Sequence, residues 1–504
     1  MIHDLIVVGA GPAGSSAATF AAREGVSTLV LDRASFPRDK VCGDGITPQA
    51  IYWLDVLGCV DEILDQTKSC IKSCDLFING SHVLTGGFPA DTIYPDFCVL
   101  LDRQRFDHIL LRNAVSAGAR FESGCTVRSV EDRGDHVVVL ASKDGKSSEF
   151  RGRMVVGADG VSSVVSRSIG NSMKDGTTAV SLRTYYRDVE CEGSPVKVWF
   201  DRRFFPGYGW LFVDDEGFAN VGLGYAFDPN FPLLSNFRGV FSNFIETDLK
   251  QMLRNARPCG DISGGSAAFY RPKKIFADRI MLVGDAANQA DPLNGGGIHK
   301  AMESAYFASR AVIHALRVGD FSAGTLRRYQ DEWSAHFELD WRTAEVFLSI
   351  AKNPDLREFC LFVLVNIARL TETDRQFRDF CAGVFSGVIS QSVCLSPRAL
   401  YDAFPRNPEA WASLLQMGER GVLSGPLHLA ATGAGSVLTA SRRMTASPLR
   451  SLDWGLEVAT RVVNLMDLRL GSGACGDGPG SQVGVVPPMA RTADTTATLF
   501  EGRI

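Results

Sequence analysis

A glycine-rich turn near the start of the chain constrains the fold more than any other feature. The sequence GAGPAG at residues 9–14 follows an apolar segment, residues 4–8, and precedes an alanine-rich stretch of helical character. A second apolar segment, residues 27–31, ends at Asp32. This order of strand, tight turn, helix and strand predicts a βαβ unit, and therefore a parallel sheet with helices packed on it.

The turn and the acidic residue after the second strand together predict a dinucleotide site. Glycines let the backbone turn sharply and approach a pyrophosphate, and the start of the helix offers free N–H groups and the positive end of its dipole. A carboxylate at the end of the second strand can accept hydrogen bonds from ribose hydroxyls. The candidate cofactor-binding residues of this unit are Gly9, Gly11, Ala13, Gly14, Asp32 and Arg33.

A second glycine-rich segment narrows the ligand to a flavin. The sequence VGDAA at residues 283–287 ends a predicted strand, and DPLNGGGI at residues 291–298 begins a predicted helix near Gly295. A carboxylate at position 285 can hold a ribityl hydroxyl, and the helix start can point its N–H groups at the pyrimidine edge of a flavin. Because that edge is negatively charged in the reduced flavin, the helix dipole would favour reduction. The predicted cofactor is therefore FAD, held here by Asp285, Gly295, Gly296, Gly297 and Ile298.

A third segment, GADGVSS at residues 157–163, places Asp159 at the end of another predicted strand. An Asp-Gly pair is by itself only a turn signal. Its place beside the expected cofactor makes Asp159 a further candidate for FAD binding.

Composition and charge exclude several other classes of protein. The formal net charge of −5 and a charged fraction of 22% argue against a nucleic-acid-binding protein. The cysteines are scattered and the histidines form no cluster, so we predict no metal site and a reduced, cytoplasmic protein. The longest strongly apolar run, residues 359–367, is far shorter than the roughly 20 residues that span a bilayer.

The succession of patterns predicts an α/β protein with a discontinuous domain organisation. A helix over residues 102–118 and strands over 125–141 and 149–157 continue the first unit, whereas short β-rich segments between 179 and 226 predict an antiparallel sheet. We predict a Rossmann-like FAD-binding domain (1–75, 102–170 and 271–320) with an inserted antiparallel β-sheet substrate domain (76–101 and 171–270). A mainly helical C-terminal region follows (321–470), and a tail rich in Gly, Pro, Ser and Thr (471–504) is predicted to be disordered.

Taken together, the three segments resemble the FAD-binding sequences of the para-hydroxybenzoate hydroxylase superfamily, over about residues 1–320. The resemblance implies that the first segment binds the ADP half of FAD, that Asp159 lies by the pyrophosphate and that Asp285 holds the ribityl chain. It also implies that Arg103, within LDRQRFD at residues 101–107, contacts FAD.

Two further segments are similar to the geranylgeranyl reductase family within that superfamily: FPRDKVCGDG at residues 36–45, and PGYGWLF at 206–212 followed by NVGLG at 220–224. The resemblance implies that the first lies near the flavin and that the second lines the substrate cavity, which makes Cys42, Tyr208 and Trp210 candidate catalytic residues. A small packed thiol explains Cys42 equally well, and Tyr208 and Trp210 share a strand face that could simply belong to the core. His299, in the first turn of the helix aimed at the flavin, is a fourth candidate, with a solvated or capping histidine as the favoured alternative.

The resemblance favours an FAD-dependent reductase acting on a carbon–carbon double bond of a hydrophobic isoprenoid or related specialised metabolite. The alternative is an FAD-dependent monooxygenase that hydroxylates or epoxidises an aromatic or terpenoid substrate, because one fold supports both reactions. A halogenase is less favoured, since YGWLFV at residues 208–213 replaces the Trp-x-Trp-x-Ile-Pro segment of those enzymes. Electrons would come from NAD(P)H or a separate flavin reductase, and a peripheral contact with a membrane surface would let the protein collect a lipid substrate.

Overall fold

The computed structural model describes residues 2–67, 70–171, 178–227, 236–269, 274–373, 375–392 and 448–472. The strands are β1 (Ile2–Val8), β2 (Thr28–Leu31), β3 (Gly45–Ile46), β4 (Ser73–Ile78), β5 (Ser81–Gly87), β6 (Val99–Leu100), β7 (Arg120–Glu122), β8 (Cys125–Asp132), β9 (Val137–Lys143), β10 (Lys146–Gly157), β11 (Thr178–Arg187), β12 (Val196–Phe200), β13 (Gly209–Val213), β14 (Ala219–Phe227), β15 (Arg257–Pro258), β16 (Ser263–Ala268), β17 (Phe276–Ala277) and β18 (Ile280–Leu282). The helices are α1 (Pro12–Arg23), α2 (Pro48–Val56), α3 (Val60–Leu64), α4 (Arg103–Ser116), α5 (Val164–Ser168), α6 (Phe237–Thr247), α7 (Ile298–Val318), α8 (Ala323–Ala351), α9 (Arg357–Thr373), α10 (Arg375–Ser386) and α11 (Pro448–Ser472), with a short 3-10 helix at Gly284–Ala287.

The first sheet is built around the N-terminal strand. Its order is β17-β18-β10-β1-β2-β7, with β9 on β10 and β8 on β9. The strand β1 pairs in parallel with both β10 and β2, and Leu5 to Val8 are almost completely buried. A strand covered on both faces needs a continuous apolar run, which is what residues 5–8 provide.

Two helices pack closely because their contact faces carry small side chains. Helix α1 begins with proline at its first position, where the missing N–H costs nothing, and continues with buried alanines. Helix α7 lies against α1, and the Ser309 hydroxyl donates a hydrogen bond of 3.3 Å to the carbonyl of Ala17. This close packing brings the start of α7 to the glycine-rich turn.

The second sheet is assembled from separate parts of the chain. Its order is β15-β11-β14-β13-β12-β4-β5, with β16 also on β11. All its pairs are antiparallel except that of β12 with β4, which is parallel. Strands from both predicted parts of the substrate domain therefore share one sheet, although the precise domain boundaries stay a prediction.

Several elements differ in detail from the sequence-based expectation. The single strand expected over residues 125–141 is a hairpin of β8 and β9, because the chain turns at Gly134, whose φ is +88°. The C-terminal region is helical as predicted in residues 323–351, 357–373, 375–386 and 448–472. Residues 471 and 472, the first two of the predicted tail, are the last two residues of helix α11. The rest of the tail, like residues 393–447, lies outside the described residues. Among the helices that the structure describes, none combines the length and the apolar character needed to cross a membrane.

Candidate active site

The glycine-rich turn is shaped by backbone contacts that only glycine permits. Gly9 has a φ of +103°, and a Cβ atom there would lie 2.3 Å from the carbonyl oxygen of Ala158. A Cβ atom at Gly14 would lie 1.8 Å from the carbonyl oxygen of Gly9. The turn therefore folds tightly onto the start of α1, and it touches the segment that carries Asp159.

The helices that point at the candidate site begin differently from most others. No side-chain hydrogen bond caps α1, which starts after Gly11, or α7, which starts after Gly297, in the part of the chain that the structure describes. The short α3 lacks one as well. Five further helices are capped by a side chain: α2 by Thr47, α4 by Asp102, α5 by Ser163, α6 by Asn236 and α8 by Ser322. The first N–H groups of α1 and α7 are thus left for a ligand, and this fits the pyrophosphate and the reduced flavin ring of FAD.

The acidic residue after β2 is fixed against the turn. Asp32 accepts hydrogen bonds of 2.7 Å from the backbone N–H groups of Ala10 and Ala34. The carboxylate stays partly exposed beside the turn, and the neighbouring Arg33 is exposed. Both residues therefore lie at the edge of the turn, where a ligand held by the turn could contact them.

A buried cluster of charges lies behind the turn. The Arg103 guanidinium donates two hydrogen bonds of 2.8 Å to the fully buried Asp107, and Arg38 Nη1 lies 2.6 Å from the same carboxylate. The Arg38 contact is off the hydrogen-bonding direction and is therefore an ion pair only. Burial opposes the charge of Arg103, but Asp107 and the adjacent Cys42 raise its pKa above the usual value. Two arginines against one carboxylate leave a net positive charge, and Arg38 Nη2 lies 3.6 Å from an ideal Cβ at Gly11, beside the expected pyrophosphate.

Asp159 holds the start of the neighbouring helix α5. Its carboxylate accepts a hydrogen bond of 2.5 Å from the Ser163 hydroxyl and one of 2.6 Å from the N–H of Val164. Burial raises the pKa of Asp159, and these hydrogen bonds oppose the rise. The side chain thus organises the loop next to Gly9 and Ala158.

The second glycine-rich segment meets the first in space. Gly284 has a φ of +59°, and a Cβ atom there would lie 3.0 Å from Cβ of Ala13 and 3.3 Å from Cβ of Ala301. The next residue, Asp285, is partly exposed, and its carboxylate lies 3.7 Å from the ammonium group of Lys40. Asp285 is therefore placed between α1, the start of α7 and the segment that carries Cys42.

Helix α7 starts at Ile298, three residues later than the sequence indicates, because residues 291–297 form a hydrogen-bonded loop. Gly295 has a φ of +71°, and the N–H of Gly296 donates a hydrogen bond of 2.7 Å to Oδ1 of Asn294. His299 is only 3% exposed and so is not solvated. Burial and the adjacent Lys300 charge lower the pKa of His299 well below its usual range, so the imidazole is neutral at pH 7.

The aromatic strand β13 lies over this loop. The Tyr208 hydroxyl donates a hydrogen bond of 2.9 Å to the carbonyl of Asn294, and burial raises the pKa of Tyr208 to about 12. The rings of Tyr208 and Trp210 are 5.9 Å apart, which confirms that they share a face. Trp210 covers Gly222 so closely that a Cβ there would lie 2.0 Å from its ring. The loop before β3 packs against the same face, since a Cβ at Gly43 would lie 3.0 Å from the Phe212 ring.

The structure also adds residues that the sequence did not single out as site residues. Asn220 and Asp44 connect the Cys42 segment to β13 through hydrogen bonds. Asn294 donates a hydrogen bond of 3.1 Å to the carbonyl of Phe385, so the end of α10 docks on the loop at residues 291–297. Asp44 and Asn220 belong to the segments 36–45 and 220–224, which are similar to the reductase family. Their hydrogen-bond partners, however, could be known only from the pairing of the strands.

A separate cavity of about 430 Å³ lies on the other side of the second sheet, and none of the sequence-predicted site residues line it. Its walls come from β4, β12, β13, the loop at 190–193 and the segment after α6. The buried ion pair of Asp75 and Lys197, with the charged atoms 2.7 Å apart, lies in its wall and is hydrogen-bonded to the backbone at Ser194 and Glu192. The candidate active site is therefore the region between the two sheets, where the predicted residues lie, and not this cavity.

Comparison with known proteins agrees with this geometry. A βαβ turn with an uncapped helix start, close to a second such helix, suits the binding of FAD. The model of the FAD binding domain family matches residues 3–215. The chain is 32% identical, over 68% of its length and 85% of the relative's, to digeranylgeranylglycerophospholipid reductase 2 of Methanopyrus kandleri. It is also 32% identical to menaquinone reductase of Mycobacterium tuberculosis, over 61% of its length and 75% of the relative's. The chain belongs to the geranylgeranyl reductase family of FAD-dependent oxidoreductases.

The fold is also shared with a protein of solved structure. A geranylgeranyl bacteriochlorophyll reductase-like protein of Thermoplasma acidophilum superposes with a TM-score of 0.61 at 22% sequence identity, covering 82% of this chain and 98% of the other. The α/β fold and the resemblance predicted from the sequence are thus confirmed.

Proposed function

We propose that this protein reduces a carbon–carbon double bond of an isoprenoid lipid. The observation that carries the proposal is the similarity to an archaeal lipid reductase over 85% of that protein's length. It gains support from the meeting of the Cys42 segment, Tyr208 and the start of α7 at one place in the fold. When bound, FAD supplies the pair of electrons that the reduction requires.

The residues of the first sheet are proposed to hold the cofactor. The turn of Gly9, Gly11, Ala13 and Gly14 would receive the pyrophosphate on its free N–H groups, next to the net positive charge that includes Arg103. Asp32 and Arg33 would reach the ribose of the ADP half. Asp159 would keep the loop by the pyrophosphate in place. Asp285 would bind the ribityl chain, and the segment Gly295, Gly296, Gly297 and Ile298 would face the flavin ring.

Residues of the second sheet, together with Cys42 and His299 beside it, are proposed to form the substrate side of the site. Tyr208 stays protonated at neutral pH, but its hydrogen is committed to the Asn294 carbonyl, so its role is to fix the loop and present an aromatic surface. Trp210 continues that surface, and the neutral His299 lies behind the loop at residues 291–297. Cys42 lies next to both Arg103 and Tyr208, and is the group we assign to contact the reacting double bond.

The substrate is proposed to be a lipid, and the proposal does not specify its head group. Two relatives of equal identity are named for a glycerophospholipid and for a quinone, so the head group varies within the family. We further propose that the protein collects its substrate from a membrane surface. Helix α11 exposes Leu456, Val463 and Met466 by 55–59%, at spacings that place them on one side of a helix. Co-sedimentation with phospholipid vesicles, compared with a variant that carries Ser at these three positions, tests this step.

The reaction is tested with the holoenzyme under strict exclusion of oxygen. The enzyme is reduced with dithionite, so that no assumption about NAD(P)H or a separate reductase is needed, and is mixed with a geranylgeranyl lipid. We expect products heavier by pairs of hydrogen atoms. A product heavier by one oxygen atom, formed only after air is admitted, would establish a monooxygenase instead. Supplying NAD(P)H, with and without a flavin reductase, then identifies the electron donor.

A further inference from the structure

The segment of residues 36–46 lies between the two sheets and is anchored on both sides. Toward the cofactor side, Arg38 pairs with Asp107 and Lys40 lies near Asp285. Toward the second sheet, Asp39 accepts a hydrogen bond of 2.8 Å from Arg183 on β11. Cys42 is therefore carried by a segment whose position depends on contacts with both layers.

One buried amide connects this segment to the aromatic strand. The Trp210 Nε1–H group can only donate, and it donates 2.8 Å to Oδ1 of Asn220, which fixes the orientation of the Asn220 amide. The amide nitrogen of Asn220 then donates two hydrogen bonds of 2.7 Å, one to the carbonyl of Cys42 and one to Oδ2 of Asp44. Both hydrogens of the amide are used, so Asn220 joins Trp210 rigidly to the Cys42 segment.

The carboxyl group of Asp44 completes the connection. Asp44 is 5% exposed, and its Oδ2 also accepts a hydrogen bond of 2.7 Å from the Tyr185 hydroxyl. Its Oδ1 is buried and has no hydrogen-bond partner among the described residues. The backbone of Asp44 has a φ of +63°, in the left-handed region that aspartate adopts more readily than most residues other than glycine.

A neutral amide side chain could accept the same hydrogen bonds at this position without the free-energy cost of burying a charge. Burial raises the pKa of Asp44 to about 6, although Tyr185, Asn220 and the charges of Arg183 and Arg103 oppose the rise. A buried carboxyl group with one oxygen unpaired is a candidate for a functional role, and here the role is that of a hydrogen-bond acceptor.

We propose that Asp44, Tyr185 and Asn220 form a polar latch that positions the Cys42 segment against Trp210 and so sets the distance between the cofactor side and the substrate side of the active site. All three act as positioning residues, since they hold Cys42 and Trp210 and are not themselves assigned to touch the substrate. The consequence for turnover rests on the proposed function, whereas the position of the Cys42 segment can be measured without it.

The test measures how readily Cys42 is alkylated in the holoenzyme. N-ethylmaleimide is added without substrate, and Cys42 labelling is followed by mass spectrometry relative to the exposed Cys191 of the same sample. Asn220→Ala and Asp44→Ala should label Cys42 about tenfold faster than wild type, as expected for losing roughly one to two hydrogen bonds. Asp44→Asn keeps acceptors for Tyr185 and Asn220 and should label like wild type.

The control is Asn243→Ala, which removes an exposed amide of α6 that accepts a hydrogen bond from Arg203 in the same half of the molecule. If either alanine variant fails to fold, Tyr185→Phe, which removes a single hydroxyl, should still raise the labelling ratio about threefold. Labelling ratios equal to that of Asn243→Ala in all folded latch variants would overturn the latch.

The kinetic consequence is measured separately. With a substrate that the wild type turns over, the alanine variants should lower kcat more than they raise KM, because the latch aligns groups and does not bind the substrate directly. A raised labelling ratio with unchanged kcat would overturn the role in turnover. If no double bond is reduced by any form, the proposed function fails, yet the labelling result still decides the latch.

Discussion

The cofactor side and the substrate side of the active site are built from different materials. On the cofactor side the site is shaped mainly by the backbone, through the close contact of Gly14 with Gly9 and through two helix starts without a capping side chain. On the substrate side a chain of side-chain hydrogen bonds runs from Trp210 through Asn220 to Asp44. Backbone contacts demand a particular residue type, whereas side-chain contacts depend on which strands happen to be neighbours. The two sides should therefore respond very differently to substitution.

The largest effect is expected from Gly14→Ala on the cofactor side. The new methyl group would lie 1.8 Å from a backbone oxygen that cannot move without opening the turn, so we expect a loss of several kcal/mol of stability and loss of bound FAD. The matched control is Gly455→Ala in α11, where an added Cβ meets no atom within 4 Å. That change should stabilise the helix by about 0.5–1 kcal/mol. Thermal unfolding and flavin absorbance measure both, and equal stability of the two variants would contradict the tight turn.

The next effect is expected on the substrate side and depends on pH. Because burial raises the pKa of Asp44 from 3.8 to about 6, the contribution of this group to stability is full below pH 4 and is lost as the pH rises through 6. Asp44→Asn removes the cost of the buried charge, and should raise the free energy of unfolding at pH 8 by up to about 3 kcal/mol. At pH 4 the variant and the wild type should be nearly equal. Denaturant unfolding at several pH values provides the measurement, and a difference independent of pH would show that Asp44 is not buried as a charge.

The same contrast explains how far the sequence alone could reach. Gly9, Gly14 and Gly284 could be recognised because only glycine satisfies the contacts that each makes, and this leaves a pattern of residue types at fixed spacing. The latch could not be recognised, because Asn220 reaches Trp210 only through the pairing of β13 with β14, in which Phe212 lies opposite Asn220. The parallel pairing of β4 with β12 was not predicted for a related reason, since it joins segments more than a hundred residues apart. The burial of His299 likewise follows from the loop at 291–297 and not from the helix pattern.

A smaller effect is expected for Asp285→Ala, which tests a side chain on the cofactor side of the site, where backbone contacts predominate. Losing one charged hydrogen-bond acceptor should weaken FAD binding about ten- to a hundredfold, without the unfolding expected for Gly14→Ala. Asp285→Asn, which keeps an acceptor, should lose less. Flavin absorbance retained after gel filtration gives the measurement. Full retention in the alanine variant would mean that the carboxylate only pairs with Lys40 and does not hold the ribityl chain.

The smallest effect is expected for a change in the charge at the start of α7. Gly297 has a φ of −101° and room for a Cβ, whose nearest neighbour would be Asp285 Oδ1 at 3.7 Å, so a side chain can be introduced there without strain. Gly297→Asp would place a negative charge at the positive end of the helix dipole, where the reduced flavin is expected to carry its own. The reduction potential of the bound flavin should fall by roughly 5–20 mV for a two-electron couple, which corresponds to about 0.3–1 kcal/mol. Gly297→Asn has nearly the same volume and no charge, so it should leave the potential close to that of the wild type. Equal potentials in the two variants would show that the helix start does not face the flavin.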